Sequence, residues 1–137
     1  MIQVIAGKKG SGKTKRIIDM TNQASRESEH DIVFIDDDRR NIREIHRDIR
    51  LVDASEHPLI NYRELVSFIY GMLSQNSDIS EIFIDSLSSI LKVLTNDDLV
   101  ALKNALEKIS NDWDVVFYIT LNCNPADLPE EMKTIIA

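Results

Sequence analysis

The sequence predicts an α/β protein, a three-layer sandwich with a mostly parallel sheet of about five strands. Short continuous apolar runs alternate along the chain with stretches of helical periodicity. Runs of that kind suit strands covered by helices on both faces. Glycine (4) and proline (3) are scarce, so the connections are short. At 137 residues the chain fits one domain, 1–137.

The first strand reads Ile2–Ala6 and runs into a glycine-rich turn. A helix follows from about Lys13, with Ile17, Met20 and Ala24 on one face. Ile32-Val33-Phe34-Ile35 is the second strand, ending in Asp36-Asp37-Asp38. Ile42, Ile45 and Ile49 then recur at helical spacing, with a short strand around Leu51-Val52 behind them. Asn61 with Glu64 opens the next helix in the manner of a capping box, and Leu65, Phe68, Ile69 and Met72 form its inner stripe. The fourth strand is Ile82-Phe83-Ile84-Asp85. Thr95 opens a helix with Leu99, Leu102, Leu106 and Ile109 inward. The fifth strand is Val115–Leu121, ended by Asn122-Cys123-Asn124-Pro125 because proline cannot continue a central ladder. The tail, Leu128–Ala137, reads as a turn of helix and a short strand at Thr134-Ile135-Ile136.

Composition narrows the function. Lys plus Arg total 16 against 23 Asp plus Glu, a net charge of -7, which argues against nucleic acid as a partner. Residues 1–68 carry 12 basic and 12 acidic side chains, and residues 69–137 carry 4 and 11. An anion site therefore belongs to the first half. One cysteine, Cys123, excludes an internal disulfide and a cysteine zinc site. His30, His46 and His57 show no metal-ligand spacing. No apolar run approaches a membrane span and the first residues lack a signal peptide's basic start, so a cytoplasmic location is expected.

Gly7-Lys8-Lys9-Gly10-Ser11-Gly12-Lys13-Thr14 matches G-x-x-x-x-G-K-[ST] at every fixed position. An apolar strand precedes it and an amphipathic helix follows, the context the motif requires. Gly7, Gly10 and Gly12 let the backbone curl so that N–H groups from Lys9, Ser11 and their neighbours point at phosphate oxygens. The helix start adds its positive end. Lys13 reaches the β- and γ-phosphates, and the Thr14 hydroxyl ligates Mg²⁺. Asp85, at the end of an apolar strand, supplies the acid that holds the ion. Ser86 follows it, so the second acid common at this place in ATPases is absent. These residues point to a nucleoside triphosphate with Mg²⁺; ATP is the expected nucleotide, and no N-K-x-D motif for guanine occurs, so they do not themselves select the base.

Phe34-Ile35-Asp36-Asp37-Asp38 resembles the strand of RecA-type recombinases and KaiC-like ATPases that ends in a catalytic acid, with Asp38 where that family has Glu. Ile84-Asp85-Ser86-Leu87 resembles the same family's Mg²⁺-binding strand. The resemblance implies a P-loop NTPase fold with strand order 3-2-4-5-1, Asp38 as the base that activates water, and Thr120 or Asn122 as a γ-phosphate sensor. The family's sensor glutamine and its DNA-binding loops are absent, so strand exchange does not carry over. The chain is also similar to short stand-alone bacterial P-loop proteins. Lys8 resembles the signature lysine of ParA/MinD-type ATPases, although Lys9 stands where those have Gly.

Arg39, Arg43, Arg47 and Arg50 recur at helical spacing. They read as a solvated face paired with Glu44 and Asp48 or as a surface for a partner. The order above leaves the first strand at an edge, which the tail, a second copy or a protein partner would cover. The expected function is ATP binding with weak Mg²⁺-dependent hydrolysis. The alternatives are a nucleotide-sensing interaction module without significant turnover and, ranked lower, a nucleoside-type kinase, for which the chain lacks a lid-length insertion.

Overall fold

The computed structural model describes residues 1–136. Five strands, β1 (Ile2–Gly7), β2 (Asp31–Asp36), β3 (Arg50–Asp53), β4 (Ile79–Ile84) and β5 (Val116–Asn122), form one sheet. Its order is β1-β5-β4-β2-β3, which read from the other edge is 3-2-4-5-1, and every pairing is parallel. The helices are α1 (Lys13–Glu27), α2 (Tyr62–Gln75), α3 (Leu87–Ile90), α4 (Asn96–Trp113) and α5 (Glu130–Lys133).

Side chains alternate along each strand, so each strand feeds two cores. Val33, Ile35, Ile82, Ile84, Phe117 and Ile119 pack with α2 and α4 through Leu65, Ile69, Leu102 and Leu106. Ile32, Phe34 and Phe83 meet Ile17 and Ile18 of α1 on the other face. Leu65 and Leu106 are fully buried, and truncating either to alanine would cost about 2–5 kcal/mol.

The helix starts follow from their caps. Thr95 and Asp98 form a reciprocal capping box, with bonds of 3.1 and 3.0 Å. At α2 the Asn61 side chain accepts the Glu64 N–H at 3.1 Å, but the Glu64 carboxylate reaches back one residue further, to the Ile60 N–H at 2.9 Å. The tail lies along the β1 edge, where the Val4 N–H donates to Ile135 O at 2.8 Å. The opposite edge, β3, is four residues long, a length that limits unwanted pairing.

One element differs from expectation. The stretch with Ile42, Ile45 and Ile49 is an irregular connection holding a single 3-10 turn, Ile42–Glu44. Ile42 is 41% exposed, whereas Ile45 and Ile49 tuck under α1. Tertiary bonds hold it: Asn22 Nδ2 donates to Glu44 O at 2.8 Å and the His46 N–H donates to Asn22 Oδ1 at 2.9 Å. Its β-branched and Asn/Asp/His residues are weak helix formers, so these anchors prevail. Arg39, Arg43, Arg47 and Arg50 therefore share no helix face. Arg50 lies in β3, and Arg39 pairs with Glu56 at 3.8 Å. The short helix α3 was not expected; it packs Leu87 and Ile90 into the larger core.

Candidate functional site

β1 ends at Gly7 and α1 begins at Lys13, so the glycine-rich segment is the tight turn between them. Gly10 (φ 84) and Gly12 (φ 88) take the left-handed conformation that a side chain would strain. Gly12 caps α1 with no side-chain partner for the helix's first N–H groups. The first turn of α1 holds no acid, although Lys13, Lys15 and Arg16 all lie there. Cations at a helix N-terminus oppose the macrodipole. The arrangement is favourable when an anion sits in front of it.

Lys13 is 8% exposed and its ammonium turns back into the loop. Its Nζ donates to Lys8 O at 2.7 Å and to Ser11 Oγ at 3.3 Å. Both acceptors are neutral, so the loop encloses a positive charge without a carboxylate. Lys8 and Lys9 stand exposed on the same turn.

Asp85 follows β4 and is 2% exposed. Thr14 Oγ1 donates to Asp85 Oδ2 at 3.0 Å, and Thr120 Oγ1 donates to Asp85 Oδ1 at 2.6 Å. Thr120 Oγ1 also accepts the Ser86 N–H at 2.7 Å. The Thr120 hydroxyl is thus engaged in orienting Asp85 and the turn after it. Ser86 has φ 60, a left-handed conformation in a non-glycine residue. Strain of this kind persists where surrounding bonds over-determine it. Asn122 ends β5 opposite Gly7 and is exposed at the rim of the loop.

The acid triplet divides. Asp38 is half-buried, and Arg40 grips its carboxylate through Nε and Nη2 at 2.7–3.0 Å. Those bonds hold the Asp38 carboxyl below its ordinary range. Arg40 Nη2 also reaches Asp37 at 3.1 Å. Asp36 is the member turned inward, at 1% exposure. It accepts the Asp37 N–H at 2.8 Å and Asn41 Nδ2 at 3.0 Å. Burial pushes its carboxyl up to about 7; the Asp37 carboxyl and the charge of Asp85 push the same way, against Asn41 and the Asp37 N–H.

Register explains why Asp36 and Asp85 are neighbours. Phe34 pairs with Phe83 and Ile35 with Ile84, and the Asp85 N–H donates to Ile35 O at 2.9 Å. The same tripeptide, Phe-Ile-Asp, closes β2 at Phe34–Asp36 and runs from the end of β4 into the next residue at Phe83–Asp85. That repeat was a sequence signal for the pairing, and it singles out Asp36 over Asp38. Thr14 and Asp85 offer hard oxygen donors of the kind that suits Mg²⁺, although the described residues contain no group of three or more His, Cys, Asp or Glu arranged to hold a metal.

No protein-family model matches this chain, and no curated protein does. Among solved structures it is similar to the flagellar accessory protein FlaH from Methanocaldococcus jannaschii, with a TM-score of 0.63 at 14% identity over 98% of this chain. The chain spans 65% of the length of that FlaH chain. The likeness supports a RecA-like fold, and at this identity it concerns the fold alone. Among the described residues no helix is long and apolar enough to cross a membrane.

Proposed function

We propose that the chain is a P-loop NTPase that binds Mg²⁺-ATP in the turn between β1 and α1 and hydrolyses it slowly. The observation that carries this is the enclosed, unneutralised Lys13 charge beside the Thr14–Asp85 pair. Backbone N–H groups from Lys9 to Thr14 and the Lys13 ammonium would hold the phosphates. Thr14 and Asp85 would hold the Mg²⁺, which supplies charge neutralisation at the phosphate oxygens. Thr120 keeps the Asp85 carboxylate in one orientation through its 2.6 Å bond.

Asp36 replaces Asp38 as the base in this reading. A base works best when its pKa lies near the operating pH, and burial brings Asp36 to about 7. Asp38 is held by Arg40 and stays a weaker base. The nucleotide-sensing alternative draws on Thr120, whose hydroxyl is committed to Asp85 and Ser86. Steady-state ATP turnover measured with and without Mg²⁺ separates the two. Slow Mg²⁺-dependent turnover that Asp85→Asn removes supports the enzyme; nucleotide binding with no turnover supports the sensor.

A further inference from the structure

The two edges of the sheet are finished differently. At β1 the tail runs alongside and bonds to Val4. At β3 no described segment pairs with the outer side. Along a parallel ladder, alternate residues turn their backbone groups to the same neighbour. The Ala54 N–H donates to Asp36 O, so Arg50 and Val52 bond to β2 while Leu51 and Asp53 turn outward.

Part of this outer side is already engaged. Asp53 O accepts the Glu56 N–H at 3.1 Å, and the Ile49 N–H donates to His46 O at 3.0 Å. Four groups remain without a partner among the described residues: the N–H of Leu51 and of Asp53, and the C=O of Leu51 and of Ile49. Ile49 and Asp53 are buried residues, where an unpaired backbone group is costly. Beside the edge a groove of about 280 Å³ lies between β3 and α2. Val52, Phe68 and Met72 are half-buried along it. Its lining holds Arg39 and Arg50 with Asp53 and Glu56, so the groove is formally neutral in a chain of net charge -7.

We infer that this edge docks a second copy of the chain, antiparallel, about a two-fold axis through Leu51. Leu51 of each copy then exchanges both N–H···O bonds with Leu51 of the other, and each Asp53 N–H donates to the other copy's Ile49 O. Every unpaired group is used once. A shift of one residue opposes groups already bonded to β2. A shift of two sets a free donor against Asp53 O or a free acceptor against the Ile49 N–H, both engaged. The result is one sheet of ten strands, five from each copy, with both α2 helices on the same face and Val52, Phe68 and Met72 of the copies side by side. Four residues of β3 are too few for indiscriminate pairing, so these side chains supply the rest of the contact. The neutral groove spares the contact most of the repulsion between two acidic chains, and salt screens what is left.

Sedimentation and cross-linking test this, without nucleotide, since β3 is the edge farthest from the glycine-rich turn after β1. The mass of the parent is expected to rise to two chains with concentration, and at lower concentration in high salt. Leu51→Pro removes an outward N–H and no bond to β2, and is expected to weaken association about tenfold or more. Val52→Lys, which sets a charge in the groove, is expected to do the same. In a Cys123→Ser background, Leu51→Cys places Cα atoms about 5.5 Å apart across the axis, within disulfide reach. It is expected to give a covalent dimer on mild oxidation, and Val52→Cys is not. This cysteine pair decides the matter even if Leu51→Pro fails to fold. A parent that stays single at every concentration and salt overturns the inference and leaves the edge to a strand from another protein. A dimer that cross-links through Val52→Cys in place of Leu51→Cys, or that a folded Leu51→Pro leaves intact, overturns it too. So does open-ended assembly, because a two-fold contact closes at two copies.

Discussion

The turn after β1 and the connection after β2 leave the same end of the sheet, yet they are specified in different ways. The first is written locally. Gly10 and Gly12 supply the left-handed backbone, and Lys13 and Thr14 follow at fixed spacing, so the neighbouring residues determine the geometry. The second is written by contacts distant in sequence. Asp36 is buried because β2 lies beside β4, Asn22 of α1 anchors Glu44 and His46, and the Ala54 N–H donates to Asp36 O at 2.8 Å. The glycine-rich turn is therefore readable as a motif, whereas the burial of an acid on a neighbouring strand emerges only from register.

Exchanging the acids of the second region breaks this comparison most sharply. Asp36→Asn removes the inward carboxylate and is expected to lower ATP turnover by about 100-fold or more, the usual worth of a general base, with nucleotide binding kept. Single-turnover assays would show this. In the first region, Gly12→Ala places a side chain at φ 88 and is expected to cost about 1–2 kcal/mol of stability, measurable by urea unfolding.

A pH series sharpens the account of Asp36. Its folded carboxyl titrates near 7 against an ordinary 3.8, so the native state holds this proton more tightly than the unfolded chain. The stability that proton contributes is full below the ordinary value and is lost as pH rises to about 7. Without nucleotide or Mg²⁺, Asp36→Asn and the parent should melt alike near the ordinary carboxylate pKa. The variant should melt higher above neutrality. The smallest effect belongs to Asp38→Asn, which breaks a surface pair with Arg40. Such pairs are worth about 0–1 kcal/mol, and turnover should stay within about twofold.

Much of this was legible in the sequence. The apolar runs gave five strands because a strand buried on both faces needs no other pattern, and Thr95 with Asp98 marked the start of α4 because a cap is a local device. Ile42, Ile45 and Ile49 misled because helical spacing also arises when two residues tuck under a helix and one does not. The four residues of α3 are too few to leave a periodic signal. Asp36 was masked by its neighbours: three acids in a row look alike until pairing with β4 buries one and Arg40 claims another.

The central claim is that Lys13 and its loop receive a Mg²⁺-nucleotide. Isothermal titration of ATP with Mg²⁺ into the parent protein and Lys13→Ala tests it directly. The account predicts saturable binding to the parent and a loss of about 10- to 100-fold or more in the variant, because Lys13 would supply charged hydrogen bonds to phosphate. Equal binding by the two proteins, or no binding by either, would contradict it.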